Sequence, residues 1–225
     1  MKKLALCGLI VVCFLLGGVA AAQDGGDPSA DANCATKPCL TTYHNNNARN
    51  GLNSRETVLM ANSNPFPPAG WGTTPAQVSL DSIVYAQPLY MYGVAWTGTT
   101  GTGCPPPTTS PRNMVYVATE ANTLYAIDAD NYGVCASLSL NNSDTAIPVS
   151  QVGNGTCDNL SGSKQNGTVG ITGTPVIDPN HNMLFVVSSH VVGTTYTQRL
   201  NAVDITTLSA LSLKTLDLPS SVNAS

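Results

Sequence analysis

Two aspartates occupy matching positions in this sequence and are the first candidates for chemistry. Asp128 closes the segment LYAID, and Asp204 closes the segment LNAVD. Carboxylates at equivalent strand ends could line a channel and bind a cation. An aspartate at a strand end more often caps the following turn by accepting hydrogen bonds from backbone amides. We therefore predict turn-capping roles for Asp128 and Asp204, and turn positions for Asp130 and Asp178.

Glu120 and Asn122 lie in the expected turn of a hairpin, NMVYVATEANTLYAID. Carboxylate and amide oxygens are calcium ligands, so a calcium-type site is one interpretation. A solvated turn is the other, and it is favoured because loops usually run over the protein surface.

The three histidines are scattered along the chain. His44 lies in the polar stretch HNNNAR, where a solvated loop residue is favoured over a ligand contact. His181 lies in the turn-forming stretch DPNHN and is predicted to be structural, whereas the sequence assigns no role to His190. The chain contains neither a G-x-S-x-G nucleophile motif nor a phosphate-binding G-x-x-x-x-G-K-[ST] motif. No catalytic residue is therefore predicted.

Five of the seven cysteines lie beyond the N-terminal apolar run: Cys34, Cys39, Cys104, Cys135 and Cys157. In an oxidising compartment, Cys34 and Cys39 could close a small loop, and Cys135 and Cys157 could staple the polar segment between them. The odd count leaves at least one cysteine outside these pairs. A zinc site at CATKPC is the alternative. Because no second Cys/His pair at ligand spacing accompanies it, we predict disulfides and no metal site.

Residues 1–22 have the layout of a secretory signal peptide. Lys2 and Lys3 precede an uncharged apolar run, and Ala20 to Ala22 supply small residues for cleavage. A membrane anchor is the alternative, but the run is at the lower limit for a span. We expect an exported protein, periplasmic, at the cell surface or secreted, with no membrane span after cleavage. Residues 23–40 are expected to form a flexible mature N-terminus.

The composition is typical of an all-β protein that contains many turns. Charged residues make up 10% of the chain, and the formal net charge is −4 at pH 7. An acidic balance without a basic stripe argues against nucleic-acid binding. No segment has sustained helical periodicity. Residues 98–112 and 141–168 are predicted to be loops because they are rich in turn-forming residues.

A strand–turn–strand pattern occurs twice, in repeats at about residues 76–140 and 169–218. Pro88 corresponds to Pro175, Tyr116 to Phe185, and the two aspartates to each other. The second repeat is expected to carry a longer hairpin loop at 189–197. The candidate buried positions are Val115, Val117, Val186 and Val187. Four antiparallel strands per repeat would form a β-propeller blade.

The repeat resembles that of pyrroloquinoline-quinone (PQQ)-like β-propeller proteins. The resemblance rests on a proline, then N-x-[VL]-[YF]-V, then L-[YN]-A-[IV]-D, and it covers about residues 41–218. It implies propeller blades over residues 41–225, and PQQ and calcium are implied as cofactors by resemblance alone. The blade-closing tryptophan of quinoproteins has no counterpart, since Trp71 and Trp96 lie elsewhere. Their adjacent cysteine pair is also missing.

These observations predict an incomplete ring of about two blades plus a leader strand, because closed propellers have about four to eight blades. We expect a fragment of a longer chain that acts as a non-catalytic binding or scaffold module. The alternatives to a fragment are several chains that assemble into one ring, or a short two-sheet fold that borrows the repeat. The partner of the module is an unspecified ligand, a protein or a cell-surface polymer. The alternative is the N-terminal part of a PQQ-dependent dehydrogenase.

Overall fold

The computed structural model describes Cys34, Arg49, Gly51, Gly101, Cys104, Pro106 and the ranges 39–45, 77–98, 110–152, 167–211 and 216–218. The expected signal peptide, most of the expected flexible N-terminus and Cys157 lie outside these residues. Within them the chain is all-β, with antiparallel strands and one 3-10 turn at Val149–Gln151. No helix among the described residues has the length and apolar character that a membrane crossing needs.

Sheet one is a four-stranded meander of sequential neighbours. Its strands are β1 (Leu89–Val94), β2 (Arg112–Ala118), β3 (Thr123–Asp128) and β4 (Val134–Ser139). β-Branched and aromatic residues favour the extended conformation here. The β2–β3 turn uses Asn122 at φ 62°, a left-handed conformation that asparagine tolerates. Met114 pairs with Asp128, and Tyr116 pairs with Ala126.

Sheet two contains the remaining strands. They are β5 (Thr145–Pro148), β6 (Thr168–Val169), β7 (Val176–Asp178), β8 (Met183–Val192), β9 (Thr195–Asp204), β10 (Ser209–Ala210) and β11 (Leu216–Leu218). Met183 pairs with Asp204, and Phe185 pairs with Ala202. These pairs match the Met–Asp and aromatic–Ala pairs of sheet one. The repeated sequence therefore forms a repeated strand register.

Two loop predictions are wrong. The expected hairpin loop at 189–197 is mostly strand, because β8 and β9 continue to a tight turn in which Gly193 has φ 60°. The expected loop at 141–168 contains β5 and β6, and β5 pairs with the extended end of β8 through Ala146 and His190. The added length of β8 thus provides the backbone partners that β5 needs.

The two sheets pack against each other, and the face that sheet one buries is not the equivalent of the face that sheet two buries. Sheet one buries the face of Met114 and Tyr116, whereas sheet two buries the face of Leu184 and Val186. Phe185 corresponds in register to Tyr116, so it lies on the outer face of sheet two. The inner faces share one hydrophobic core. The Tyr116 hydroxyl donates a hydrogen bond to the Ile205 carbonyl over 2.7 Å, which joins the sheets.

The predicted set of valines includes buried positions, as expected. Val117 and Val186 are buried, and Val115 is half-buried. Val187 is 38% exposed, as is expected of a neighbour of Val186 that points to the opposite face of the strand.

The N-terminal segment 39–45 lies between the two sheets. Leu40 forms an isolated bridge with Tyr90 of β1, and the Thr41 carbonyl accepts a hydrogen bond of 2.8 Å from the Ile177 amide of β7. The segment 39–45 therefore contacts the first strand of each repeat, β1 and β7, and links the two repeats.

The described residues form two disulfides. Cys34 bonds to Cys39, as the sequence predicts. Cys135 bonds to Cys104, so the predicted Cys135–Cys157 pairing is wrong. The physical reason is local: the Gly101 amide donates a hydrogen bond of 2.8 Å to the Cys135 carbonyl, which holds the preceding loop against β4.

Candidate functional site

An open cleft lies where the N-terminal segment meets the loop before β7. Its volume is about 440 Å³. The described residues that line it are Tyr43, Arg49, Tyr85, Thr172, Gly173 and Thr174. These residues come from three separate stretches of the chain, so the cleft exists only once the two repeats have packed together.

Hydrogen bonds donated by backbone amides hold the three stretches in place. The His44 amide donates to Gln87 Oε1 over 3.2 Å, and the Gln87 amide donates to Thr174 Oγ1 over 2.9 Å. The Gly51 amide donates to the His44 carbonyl over 3.0 Å. Gln87 therefore connects the cleft wall of the first stretch to that of the third.

The cleft presents aromatic faces beside a positive charge. The Tyr43 ring stacks on His44 with centroids 3.9 Å apart, and the Arg49 guanidinium lies 5.9 Å from the Tyr43 centroid. Tyr43 and Tyr85 are 42% and 50% exposed. An arginine over an aromatic face is a favourable cation–π arrangement, and the guanidinium keeps donors for a ligand. His44 thus supports the cleft wall, and its direct contact with a ligand stays a prediction.

A second polar group is buried within sheet two. His190 Nε2 lies 2.6 Å from Ser188 Oγ, and His190 Nδ1 lies 3.1 Å from Asp144 Oδ1. With its proton on Nδ1, the imidazole donates to Asp144 and accepts from the serine hydroxyl. This order of groups is that of a Ser-His-Asp triad.

Burial decides what this triad-like network can do. Ser188 and His190 are fully buried, and Asp144 is nearly so. Asn201 Nδ2 donates to Ser188 Oγ over 2.8 Å, and Arg199 forms an ion pair with Asp144. A nucleophile that no substrate can reach performs no acyl transfer, so the network joins β5, β8 and β9 as a structural unit.

Part of this network is visible in the residue spacing. Ser188 and His190 are two residues apart on one strand, a spacing that places both side chains on the same face. Asp144 lies in a stretch predicted to be a loop, and its partners lie 46 and 55 residues away. Only the unexpected pairing of β5 with β8 brings these groups together.

The turn-capping predictions for the aspartates are confirmed. Asp128 Oδ1 accepts from the Asp130 amide over 2.9 Å, and Asp204 Oδ1 accepts from the Thr206 amide over 2.7 Å. Asp178 caps its own turn through the Asn180 amide. A side-chain hydrogen bond with His181 lowers the pKa of Asp178. Asp130 lies in the turn after β3, as predicted.

The prediction of a solvated turn at Glu120 and Asn122 is wrong. Their exposed fractions are 3% and 0%. The turn packs against Gly170, whose amide donates to Glu120 Oε2 over 2.7 Å. A Cβ at position 170 would lie 2.5 Å from the Glu120 carbonyl oxygen, so only glycine allows this approach. The described residues contain no group of three His, Cys, Asp or Glu side chains that could hold a metal ion.

Comparisons with protein-family models, with curated proteins and with solved structures found no match.

Proposed function

We propose that this protein is an exported module of β-propeller type that binds or scaffolds a partner and does not catalyse a reaction. The observation that carries the proposal is the packing of opposite faces of two repeats with the same register. Successive propeller blades are related by rotation about a central axis, so the front of one blade meets the back of the next. A two-fold axis would instead bury the same face of each copy.

The outer face of sheet two supports the same arrangement. Val176 and Val187 are 45% and 38% exposed, and Phe185 is half-buried beside them. In sheet one the equivalent face carries Leu89 and Tyr116 and is buried. Because the two repeats have the same register, the outer face of sheet two is the surface on which a further blade would pack.

Export is supported by the two disulfides, because disulfides form and persist mainly in oxidising compartments. It is also supported by the expected signal peptide at residues 1–22. A binding role is supported by the open cleft, which offers aromatic faces and a guanidinium to a ligand.

The proposal is tested by two assays on the full-length secreted protein. The first measures co-sedimentation with purified cell-surface polysaccharides and protein fractions. The second measures dye-linked oxidation of alcohols and sugars after addition of PQQ and calcium. We expect saturable binding to at least one partner and no PQQ-dependent dye reduction. PQQ- and calcium-dependent turnover would establish the dehydrogenase alternative, and absence of any binding would contradict the module.

A further inference from the structure

We infer that the cleft binds an acidic sugar, with the carboxylate of a uronic acid on Arg49 and its ring against Tyr43 and Tyr85. The inference rests on the proposed binding function and assigns a ligand class and residues to it. It follows from three properties of the cleft: its charge, its ring faces and its hydroxyl groups.

The charge of the cleft is positive on an acidic protein. Arg49 is exposed, and no ion pair among the described residues includes it. Among the described residues the lining contains no carboxylate, although the whole chain carries a net charge of −4. At physiological salt the repulsion from distant acidic groups is screened beyond about 8 Å, so the guanidinium dominates locally. A planar guanidinium recognises a carboxylate through two parallel hydrogen bonds.

The ring faces select a ligand that is flat and partly apolar. Tyrosine combines an apolar ring with a polar hydroxyl, a combination suited to amphipathic partners. Stacking on His44 holds the Tyr43 ring in place, so its position in the cleft is preorganised. The C–H face of a pyranose ring is apolar and can pack on such a surface.

The remaining lining supplies polar groups. Thr172 and Thr174 are the chain neighbours of Gly173. Thr172 is exposed, and Thr174 is half-buried. Threonine hydroxyls both donate and accept, as the hydroxyl groups of a sugar require. A uronic acid joins a carboxylate, an apolar ring face and hydroxyl groups in one unit, and thus matches all three properties. The volume of about 440 Å³ is within the range of small-ligand sites.

Titration calorimetry with trigalacturonate and with a hyaluronan tetrasaccharide tests this inference. The matched neutral probe is fully methyl-esterified trigalacturonate, which keeps the rings and loses the charge. We expect at least one acidic probe to bind, with an affinity that falls as salt rises, and the ester to bind about tenfold more weakly or worse. That factor is what loss of a charge-assisted bidentate contact predicts.

Variants locate the binding. Arg49→Gln is expected to weaken acidic-probe binding about tenfold, and Tyr43→Ala and Tyr85→Ala are each expected to weaken binding of both probe types. Tyr196→Ala is the control, because Tyr196 is 42% exposed and lies outside the cleft lining. Equal thermal unfolding midpoints show that each variant is folded. Unchanged affinity in Arg49→Gln, equal binding of acid and ester, or no binding of either acidic probe would overturn the inference.

The proposed binding module and the proposed acidic-sugar site are contradicted by different results. Saturable binding of a neutral polymer or a protein, without binding of acidic oligosaccharides, would leave the binding module standing and remove its acidic-sugar site. PQQ-dependent turnover would remove the non-catalytic module, whatever the oligosaccharides do.

Discussion

Tyr116 joins the two sheets through a single buried hydroxyl. It is 2% exposed and donates its hydrogen bond to the Ile205 carbonyl. Tyr116→Phe keeps the ring and leaves that buried carbonyl without this donor. We expect the free energy of unfolding to fall by about 1–2 kcal/mol. Urea unfolding at neutral pH measures the change, and an unchanged midpoint would contradict the role of the hydroxyl.

The same residue predicts a pH dependence. Burial, with a smaller contribution from the Asp204 charge, raises the pKa of Tyr116 well above its ordinary value of 10.0. The unfolded chain loses this proton near pH 10 while the folded chain keeps it. The contribution of Tyr116 is therefore complete below pH 10 and is lost as the pH rises above it. Thermal unfolding between about pH 8 and about pH 11 should show a shallower alkaline decline in Tyr116→Phe than in the parent.

The decline should be shallower in Tyr116→Phe and still present. Burial also raises the pKa values of Tyr90 and Tyr125, so these two phenols continue to favour folding below pH 10. Identical slopes in parent and variant would show that Tyr116 does not contribute.

Glu120 is a buried carboxylate, and one of its two oxygens forms no hydrogen bond within the described part of the chain. Its Oε2 accepts from Gly170, whereas its Oε1 and Asn122 Oδ1 have no hydrogen-bond partner among the described residues. Glu120→Gln keeps an acceptor for Gly170, removes the buried charge and adds an amide donor. We expect the free energy of unfolding to rise by about 1 kcal/mol, measured by urea titration. A clear loss of stability would instead show that the negative charge is required.

At the scale of strands, β8 has one inner and one outer face. Val186 is 2% exposed, and its neighbour Val187 is 38% exposed. Val186→Asp places an unpaired charge in the core and should cost about 3–5 kcal/mol of unfolding free energy. Val187→Asp is the matched control and should cost about 1 kcal/mol or less. Equal losses in denaturant titrations would show that the outer face is covered as well as the inner one.

Strand register could be predicted from the sequence because it is encoded locally. Tyr116 and Phe185 take equivalent places in their sheets, as the repeated pattern indicates. The pairing of β5 with β8 could not be predicted, since it joins residues such as Ala146 and His190 that are far apart in sequence. The burial of Glu120 and Asn122 was missed for the same reason: Gly170, which covers their turn, belongs to the other repeat.

At the scale of the whole molecule, the shared core predicts that both sheets unfold together. Leu89 is fully buried in sheet one within the core that also contains Leu184 and Val203 of sheet two. Leu89→Ala should cost about 2–4 kcal/mol. In hydrogen-exchange mass spectrometry, the loss of protection should reach β8 and β9 as well as β2 and β3.

The matched control is Val192→Ala, at a position that is 46% exposed. This variant should leave the protection of both sheets unchanged. A loss confined to sheet one in Leu89→Ala would show that the two repeats are independent folding units.

The all-β class and the turn-capping aspartates were predictable from the sequence, but the cleft was not. Tyr43, Tyr85 and Thr172 carry no common motif, and they meet only because Gln87 and the segment 39–45 link the repeats. Disulfide pairing shows the same limit. Cys34 and Cys39 are five residues apart and were paired correctly, whereas Cys104 and Cys135 are 31 residues apart and were not.

The packing of opposite faces has a consequence for how such a chain can evolve. When the front of a unit fits the back of an identical unit, a tandem duplication within the gene adds a unit that already has a matching neighbour. Each new copy also exposes a face on which the next copy can pack, as sheet two exposes the face of Val176 and Val187. If the two units packed through the same face, one duplication would bury that face on both units and leave none for a third. The arrangement seen here can therefore lengthen by repeated copying, while each copy diverges at its exposed loops.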